Sequence, residues 1–252
     1  LETCIRATKK AGGHCQAAIS YTTSEIHTVD YFVDLAVEME KMGADSICIK
    51  DMAGVLMPQT GFELVGKLKA ALKVPVEVHT HATSGIAEMT YLMCAKAGAD
   101  IIDTAISSFA GGTSQPATES MDLTLTELGF DTKLDIDKLS EIAEYFNPIR
   151  DRFRKEGRLN PKVKDVEPKT LLYKVPGGML SNLLSQLTEQ GLQDKYEEVL
   201  REVPKVRADL GYPPLVTPLS QMVGTQSLMN VISGERYKLI PKEIKDYVKG
   251  LY

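Results

Sequence analysis

Met42-Gly43-Ala44-Asp45-Ser46-Ile47-Cys48-Ile49-Lys50 decides the fold, because its opening phrase returns as Ala97-Gly98-Ala99-Asp100 ahead of Ile101 and Ile102. Each copy ends a helical pattern on glycine, which frees a tight turn, and leads through Asp into a β-rich run. Four such runs occur, at 14–20, 45–50, 75–79 and 100–105. Helical patterns fill 28–42, 60–72 and 84–97; in the first, Tyr31, Leu35, Val37 and Met39 form the apolar stripe. Strand starts near Cys15, Ser46, Val76 and Ile101 stand 31, 30 and 25 positions apart. A βα repeat of this kind implies an α/β fold with a parallel sheet and right-handed crossovers.

From residue 131 onward the patterns turn almost wholly helical, at 136–154, 177–189, 194–210, 217–232 and 241–252, with a polar, Pro-containing link at 155–169. Two domains are therefore expected, an α/β part over 1–130 and a helical part over 131–252.

Composition narrows the function. The 252 residues are 43% hydrophobic and 25% charged with a formal net charge of −5, so nothing favours nucleic acid or an anionic membrane surface as partner. No apolar run reaches the roughly 18 residues of a membrane span. Cys4, Cys15, Cys48 and Cys94 form no CxxC pair and sit among apolar residues, which predicts buried free thiols in a reducing, cytoplasmic setting.

Two of the four histidines, His79 and His81, flank Thr80 at a strand end. Side chains two apart on a strand share a face, and two imidazoles there have the ring lone pairs to bind one divalent ion. Two hydrogen-bonded histidines packed at a strand terminus fit the same pattern, although catalytic groups of parallel βα folds gather at strand C-termini. One strand earlier, Lys50 closes an apolar run and precedes Asp51-Met52-Ala53-Gly54. A desolvated lysine is a nucleophilic amine able to capture CO2 as an anionic carbamate. A salt bridge from Lys50 to Asp51 or another carboxylate is the plainer alternative. The stretch from Asp103-Thr104-Ala105 to Gly111-Gly112-Thr113-Ser114-Gln115-Pro116 is rich in Gly, Ser and Thr. It suits either an anion-facing loop or a flexible connection. In Val216-Thr217-Pro218-Leu219-Ser220-Gln221, Thr217 reads as a helix N-cap with Pro at the first helical position.

Ser20-Tyr21-Thr22-Thr23, the Lys50–Gly54 run, His79-Thr80-His81, Thr113-Ser114-Gln115-Pro116 and Val216-Thr217-Pro218, in this order, closely resemble one family. It comprises the carboxyltransferase domains of pyruvate carboxylase, the oxaloacetate decarboxylase alpha subunit and the carboxyltransferase subunit of transcarboxylase. The resemblance implies a TIM-type (β/α)8 barrel with a helical extension over its mouth. It also implies a metal site of His79, His81 and a carbamylated Lys50, with Thr217 relaying a proton between biotin and pyruvate. Thr113, Ser220 and Gln221 are further candidates for contacts to substrate or biotin.

The metal implied is divalent, with Zn, Mn and Co all suited to these ligands. Biotin is expected from a carrier domain or subunit outside the chain, pyruvate or oxaloacetate as substrate, and a homo-oligomer as the assembled form. Leu219 and Gln221 depart from the VTPSSK pattern of single-chain pyruvate carboxylases, so the chain is more similar to the separate-subunit enzymes, the decarboxylase alpha subunit or a two-subunit pyruvate carboxylase. Two rivals stand beside this one: a metal-dependent aldol-type lyase or synthase of the isopropylmalate synthase class, and a non-catalytic scaffold docking a biotin carrier.

Only four βα units can be read, where the family barrel has eight. The chain opens on a helix at 1–10 with Leu1 in place of an initiator Met. It is accordingly expected to hold the C-terminal half of a barrel, with about 100–130 residues supplying the other strands. In the family those residues carry a metal-binding aspartate and arginines for the substrate carboxylate.

Overall fold

A computed structural model of the chain describes residues 1–159 and 165–251. It divides into two compact units, Leu1–Pro168 and Lys169–Tyr252.

In the first unit, helix α1 (Glu2–Lys10) leads into strand β1 (Gln16–Ser20), followed by α2 (Val29–Lys41), β2 (Ser46–Asp51), α3 (Pro58–Ala71), β3 (Val76–Thr80), α4 (Ala87–Lys96) and β4 (Ile101–Ile102). The strands form one parallel sheet in chain order, β1-β2-β3-β4. Ile47 and Ile49 of β2 and Val76 and Val78 of β3 have no exposed surface. That continuous burial is what a parallel strand covered on both faces requires. Thr28 caps α2 by accepting the N–H of Tyr31 at 3.1 Å.

The repeated phrase proves to be a clamp. Gly43 and Gly98 take nearly identical left-handed conformations, φ +98° and +99°, which glycine adopts without strain. The Asp that follows each accepts an N–H at the start of the preceding strand segment: Cys15 N donates to Asp45 Oδ2 and Val76 N to Asp100 Oδ2, both at 2.8 Å. A lysine from an earlier helix joins each carboxylate, Lys9 on Asp45 and Lys69 on Asp100.

Helix α5 (Thr118–Glu127) and helix α6 (Ile136–Lys155) also belong to the first unit. The first compact unit thus runs on past residue 130 to Pro168. Loss of the strand pattern at 131 does not end the packing: Ser108 Oγ lies 2.8 Å from the Ala143 carbonyl, and Phe109 meets Phe146 edge-on at 6.0 Å. Other boundaries move as well. The fourth strand is only two residues long, with an isolated bridge between Ala105 and Ala117 beyond it. Before α4 the chain makes a 3-10 turn at Ala82–Ser84. Cys48 and Cys94 are buried free thiols pushed up to about 12 by burial, whereas Cys4 is exposed and Cys15 half-buried. Cys4 lies on α1, whose buried residue is Ile5.

The second unit is helical throughout: α7 (Lys169–Tyr173), α8 (Gly177–Glu189), α9 (Tyr196–Asp209), α10 (Leu219–Ser233) and α11 (Lys242–Val248). Leu183 and Leu187 of α8, Val199 and Val203 of α9 and Val223 of α10 anchor its core. Glu202, buried on α9, accepts from Asn230 Nδ2 at 2.9 Å and Arg236 Nε at 2.6 Å, so the charge is paired on entering the unit.

Candidate active site

Parallel register lines up one row of side chains across the sheet. Ser20 is the partner of Lys50, and Lys50 of His79. The pairing of Glu77 with Ile101 and Val78 with Ile102 continues, by the same offset, to set Asp103 beside His79. Register partners in a parallel sheet share a face. Ser20, Lys50, His79 and Asp103 therefore stand in one line at the C-terminal edge.

His79 donates from Nδ1 to Asp103 Oδ2 at 2.8 Å. His81, just past β3 in an extended conformation, donates from Nδ1 to the Thr113 carbonyl at 2.6 Å. A carboxylate and a carbonyl accept hydrogen bonds, so these contacts place a proton on Nδ1 of both rings, and in the neutral form of each ring that leaves the lone pair on Nε2. The ring centroids are 5.1 Å apart. Burial lowers the His81 pKa, and the nearby His79 and Lys50 lower it further against the raising effect of the Thr113 carbonyl. A neutral imidazole with a directed lone pair is the ligand form of histidine. Two such nitrogens beside the Lys50 amine are a donor set that suits a divalent ion. Among the described residues no group of three or more His, Cys, Asp or Glu is arranged to hold a metal ion, at this sheet edge or elsewhere.

Lys50 does not pair with Asp51. The Asp51 side chain is fully buried and accepts from Val55 N at 3.1 Å, Leu56 N at 2.7 Å and Thr80 Oγ1 at 2.8 Å. Burial pushes its carboxyl upward, opposed by those bonds. Among the described residues the Lys50 side chain has no hydrogen-bonding or ion-pair partner, while its carbonyl accepts from Tyr21 N at 3.0 Å. Asp51 instead shapes the turn after β2, bringing Gly54 against the backbone of His81.

Tyr91, fully buried on α4, ties two strand ends together. Its hydroxyl accepts from Thr80 N at 3.0 Å and donates to Asp103 O at 2.5 Å. The loop after β4 is equally tied: Ala82 N donates to Ser114 O at 2.8 Å and Gly111 N to Gln115 O at 2.8 Å. It is therefore no loose connection. It brings Gln115 Nε2 within 3.4 Å of His79 Nε2. Thr113 contributes its carbonyl, while the residue itself is exposed.

Thr217, Ser220 and Gln221 lie together at the start of α10 in the second unit. Thr217 is not the N-cap. Pro218 occupies that position and no side chain caps the helix. Thr217 and Gln221 are exposed and Ser220 is buried. Asp103 and Gln115 escaped the sequence reading. Asp103 is found only once the structure pairs Glu77 with Ile101, since a two-residue β4 carries no pattern from which the sequence could set that register.

Comparison with known families matches residues 1–146 to the HMGL-like family and residues 170–252 to the conserved carboxylase domain. A pyruvate carboxylase subunit of Methanocaldococcus jannaschii is 55% identical over 100% of this chain and 44% of its own length. The methylmalonyl-CoA carboxyltransferase 5S subunit of Propionibacterium freudenreichii subsp. shermanii is 44% identical over 98% of this chain and 48% of its own. The chain thus spans less than half the length of these relatives. The carboxyl transferase domain of Rhizobium etli pyruvate carboxylase, solved with pyruvate and biocytin, superposes with a TM-score of 0.90 at 30% identity, over 98% of this chain and 44% of that one. The four-stranded sheet corresponds to part of the TIM-type barrel of such domains. By sequence and by structure, then, the chain belongs to the HMGL-like family, in the branch formed by the carboxyltransferase domains and subunits of pyruvate carboxylase and its relatives.

Proposed function

We propose that the complete protein transfers CO2 between carboxybiotin and pyruvate, or from oxaloacetate to biotin, at a divalent ion held by Lys50, His79 and His81. The observation that carries this is the pair of Nδ1 hydrogen bonds, to Asp103 and to the Thr113 carbonyl, which leave both Nε2 atoms as lone-pair donors. An ion of the Zn, Mn or Co class supplies Lewis-acid polarisation of a keto oxygen and stabilises the negative charge that develops as CO2 leaves or arrives.

The chain's own residues account for the rest. Lys50, half-buried and without a counter-ion among the described residues, forms an N–C bond from Nζ to CO2 and releases a proton, becoming an anionic oxygen ligand. Thr217 relays the proton exchanged between biotin and the pyruvate methyl carbon. Its exposure, and the absence of a capping bond from it, leave its hydroxyl available. Thr113, Ser220 and Gln221 contact substrate or biotin. The biotin arrives on a carrier domain or subunit, in a cytoplasmic homo-oligomer resembling a two-subunit pyruvate carboxylase or the oxaloacetate decarboxylase alpha subunit. Among the described residues no helix is long and apolar enough to cross a membrane.

An aldol-type lyase would share the HMGL-like match, but the carboxylase segment over 170–252 favours carboxyl transfer. Metal content and CO2 exchange between pyruvate and oxaloacetate with free biotin, measured on the complete protein, test the proposal. His79→Ala and His81→Ala are expected to lose both; if each keeps full metal and full exchange, the site is wrong. A metal-free, inactive wild type would favour a carrier-docking scaffold.

A further inference from the structure

We infer that Asp103 is a positioning residue that selects Nε2 of His79 as the metal-binding atom, and that the Thr113 carbonyl does the same for His81. This deepens the proposed metal reading and rests on it.

The carboxylate is placed by backbone on both sides. Asp103 N donates to Val78 O at 3.1 Å, carrying the parallel ladder one residue beyond β4. Its carbonyl receives the Tyr91 hydroxyl at 2.5 Å. With its main chain held at both ends, the side chain is delivered onto the face of His79 by register, and Oδ2 reaches Nδ1 at 2.8 Å. Lys50 lies on the opposite flank of His79 in the same row. The histidine is thus bracketed by a ligand candidate on one strand and an orienting acceptor on the other.

The two histidines are oriented by acceptors of different kinds. For His81 the acceptor is main chain, so the side chain at 113 is not needed for it. For His79 the acceptor is a side chain, and one substitution removes it. A histidine without its acceptor is free to place the proton on Nε2, which abolishes the lone pair a metal needs. Partners of this kind typically change metal affinity by about 10–100-fold.

The experiment uses the complete protein, with Co2+ as the probe. Co2+ affinity is titrated by visible absorption for wild type, Asp103→Ala, Asp103→Asn, Thr113→Ala and His79→Ala. Nitrogen-15 NMR of the imidazoles, recorded without metal, reports the tautomer of His79. Asp103→Ala is expected to weaken Co2+ by about 10–100-fold and to raise the Nε2–H form of His79. Asp103→Asn, which keeps the shape and one acceptor oxygen, is expected to fall between it and wild type. Thr113→Ala is expected to bind Co2+ as wild type does. Wild-type affinity and an unchanged His79 tautomer in Asp103→Ala, alongside lost binding in His79→Ala, overturn this inference alone. Retained Co2+ in His79→Ala overturns the metal reading beneath it. A destabilised Asp103→Ala is resolved by Asp103→Asn: a His79 tautomer spectrum and Co2+ affinity both identical to wild type count against the inference.

Discussion

Gly54 lies directly against the carbonyl of His81: a Cβ added at position 54 would stand 2.5 Å from that oxygen. The residue also holds φ at +66°, the left-handed region. The turn after β2 and the histidine-bearing end of β3 therefore fit together only when position 54 has no side chain.

Gly54→Ala is expected to act on metal binding through that contact. The left-handed backbone costs about 1–2 kcal/mol for an L-residue, and the clash falls on backbone, which cannot swing aside. His81 must shift by tenths of an ångström or more. We expect metal affinity to fall at least tenfold, on the scale that a displaced ligand implies, with a lowered melting temperature. Metal titration of the variant checks this; unchanged affinity would mean that the turn yields without moving His81.

Asp51 is expected to matter for stability, not as a counter-ion of Lys50. Its carboxylate satisfies two buried main-chain N–H groups and the Thr80 hydroxyl. Asp51→Ala orphans those donors at about 1–3 kcal/mol each. Asp51→Asn retains one acceptor oxygen and should cost less. Chemical denaturation of both ranks them, and equal stability of the alanine variant and wild type would contradict the assignment.

Thr217→Ala should separate activity from stability. Pro218, and not Thr217, holds the N-cap of α10. The usual capping loss of about 1 kcal/mol is thus not expected; an exposed substitution of this kind stays within about 0.5 kcal/mol. Removal of a proton relay typically costs about 10²–10⁴ in rate. Melting temperature and CO2-exchange rate on one preparation decide it, and a fully active variant would remove Thr217 from the chemistry.

The sheet was legible because β2 and β3 are buried on both faces and so read as apolar runs, with Gly-Ala-Asp announcing β2 and β4. The histidine pair was legible for a similar reason: alternation along β3 puts residues 79 and 81 on one face, and the rings lie 5.1 Å apart. Asp103 was not. Its role depends on the offset between β3 and β4, and a two-residue strand leaves almost no hydrophobic pattern from which to count that offset. Helix α5 escaped because only Met121, Asp122 and Leu125 of its ten residues are buried, too few for a stripe. The Thr217 cap was misread by one residue, since Thr-Pro is good local design for a cap and only the backbone shows where the helix starts.

The clamps at Asp45 and Asp100 give the fold an acid limit whose sign can be worked out. The Asp45 carboxyl is held below its ordinary value by the N–H of Cys15 and by Lys9. Burial pushes Asp100 upward, but Lys69 and the N–H of Val76 outweigh it and leave that carboxyl depressed as well. In the unfolded chain both return to about 3.9. Between the folded values and about 3.9 the unfolded state binds more protons, so stability rises with pH across that window. The contribution is complete above the unfolded value and is lost as pH falls through the folded values. Asp45→Asn and Asp100→Asn remove the titration along with the charge. The double variant should melt lower than wild type at neutral pH and lose less on acidification below about pH 4. Melting curves of both proteins at a series of pH values from neutral to strongly acidic make the comparison. Curves that stay parallel below pH ~4 would show that neither carboxylate sets the acid limit and that the repeated Gly-Ala-Asp phrase serves the turn geometry alone.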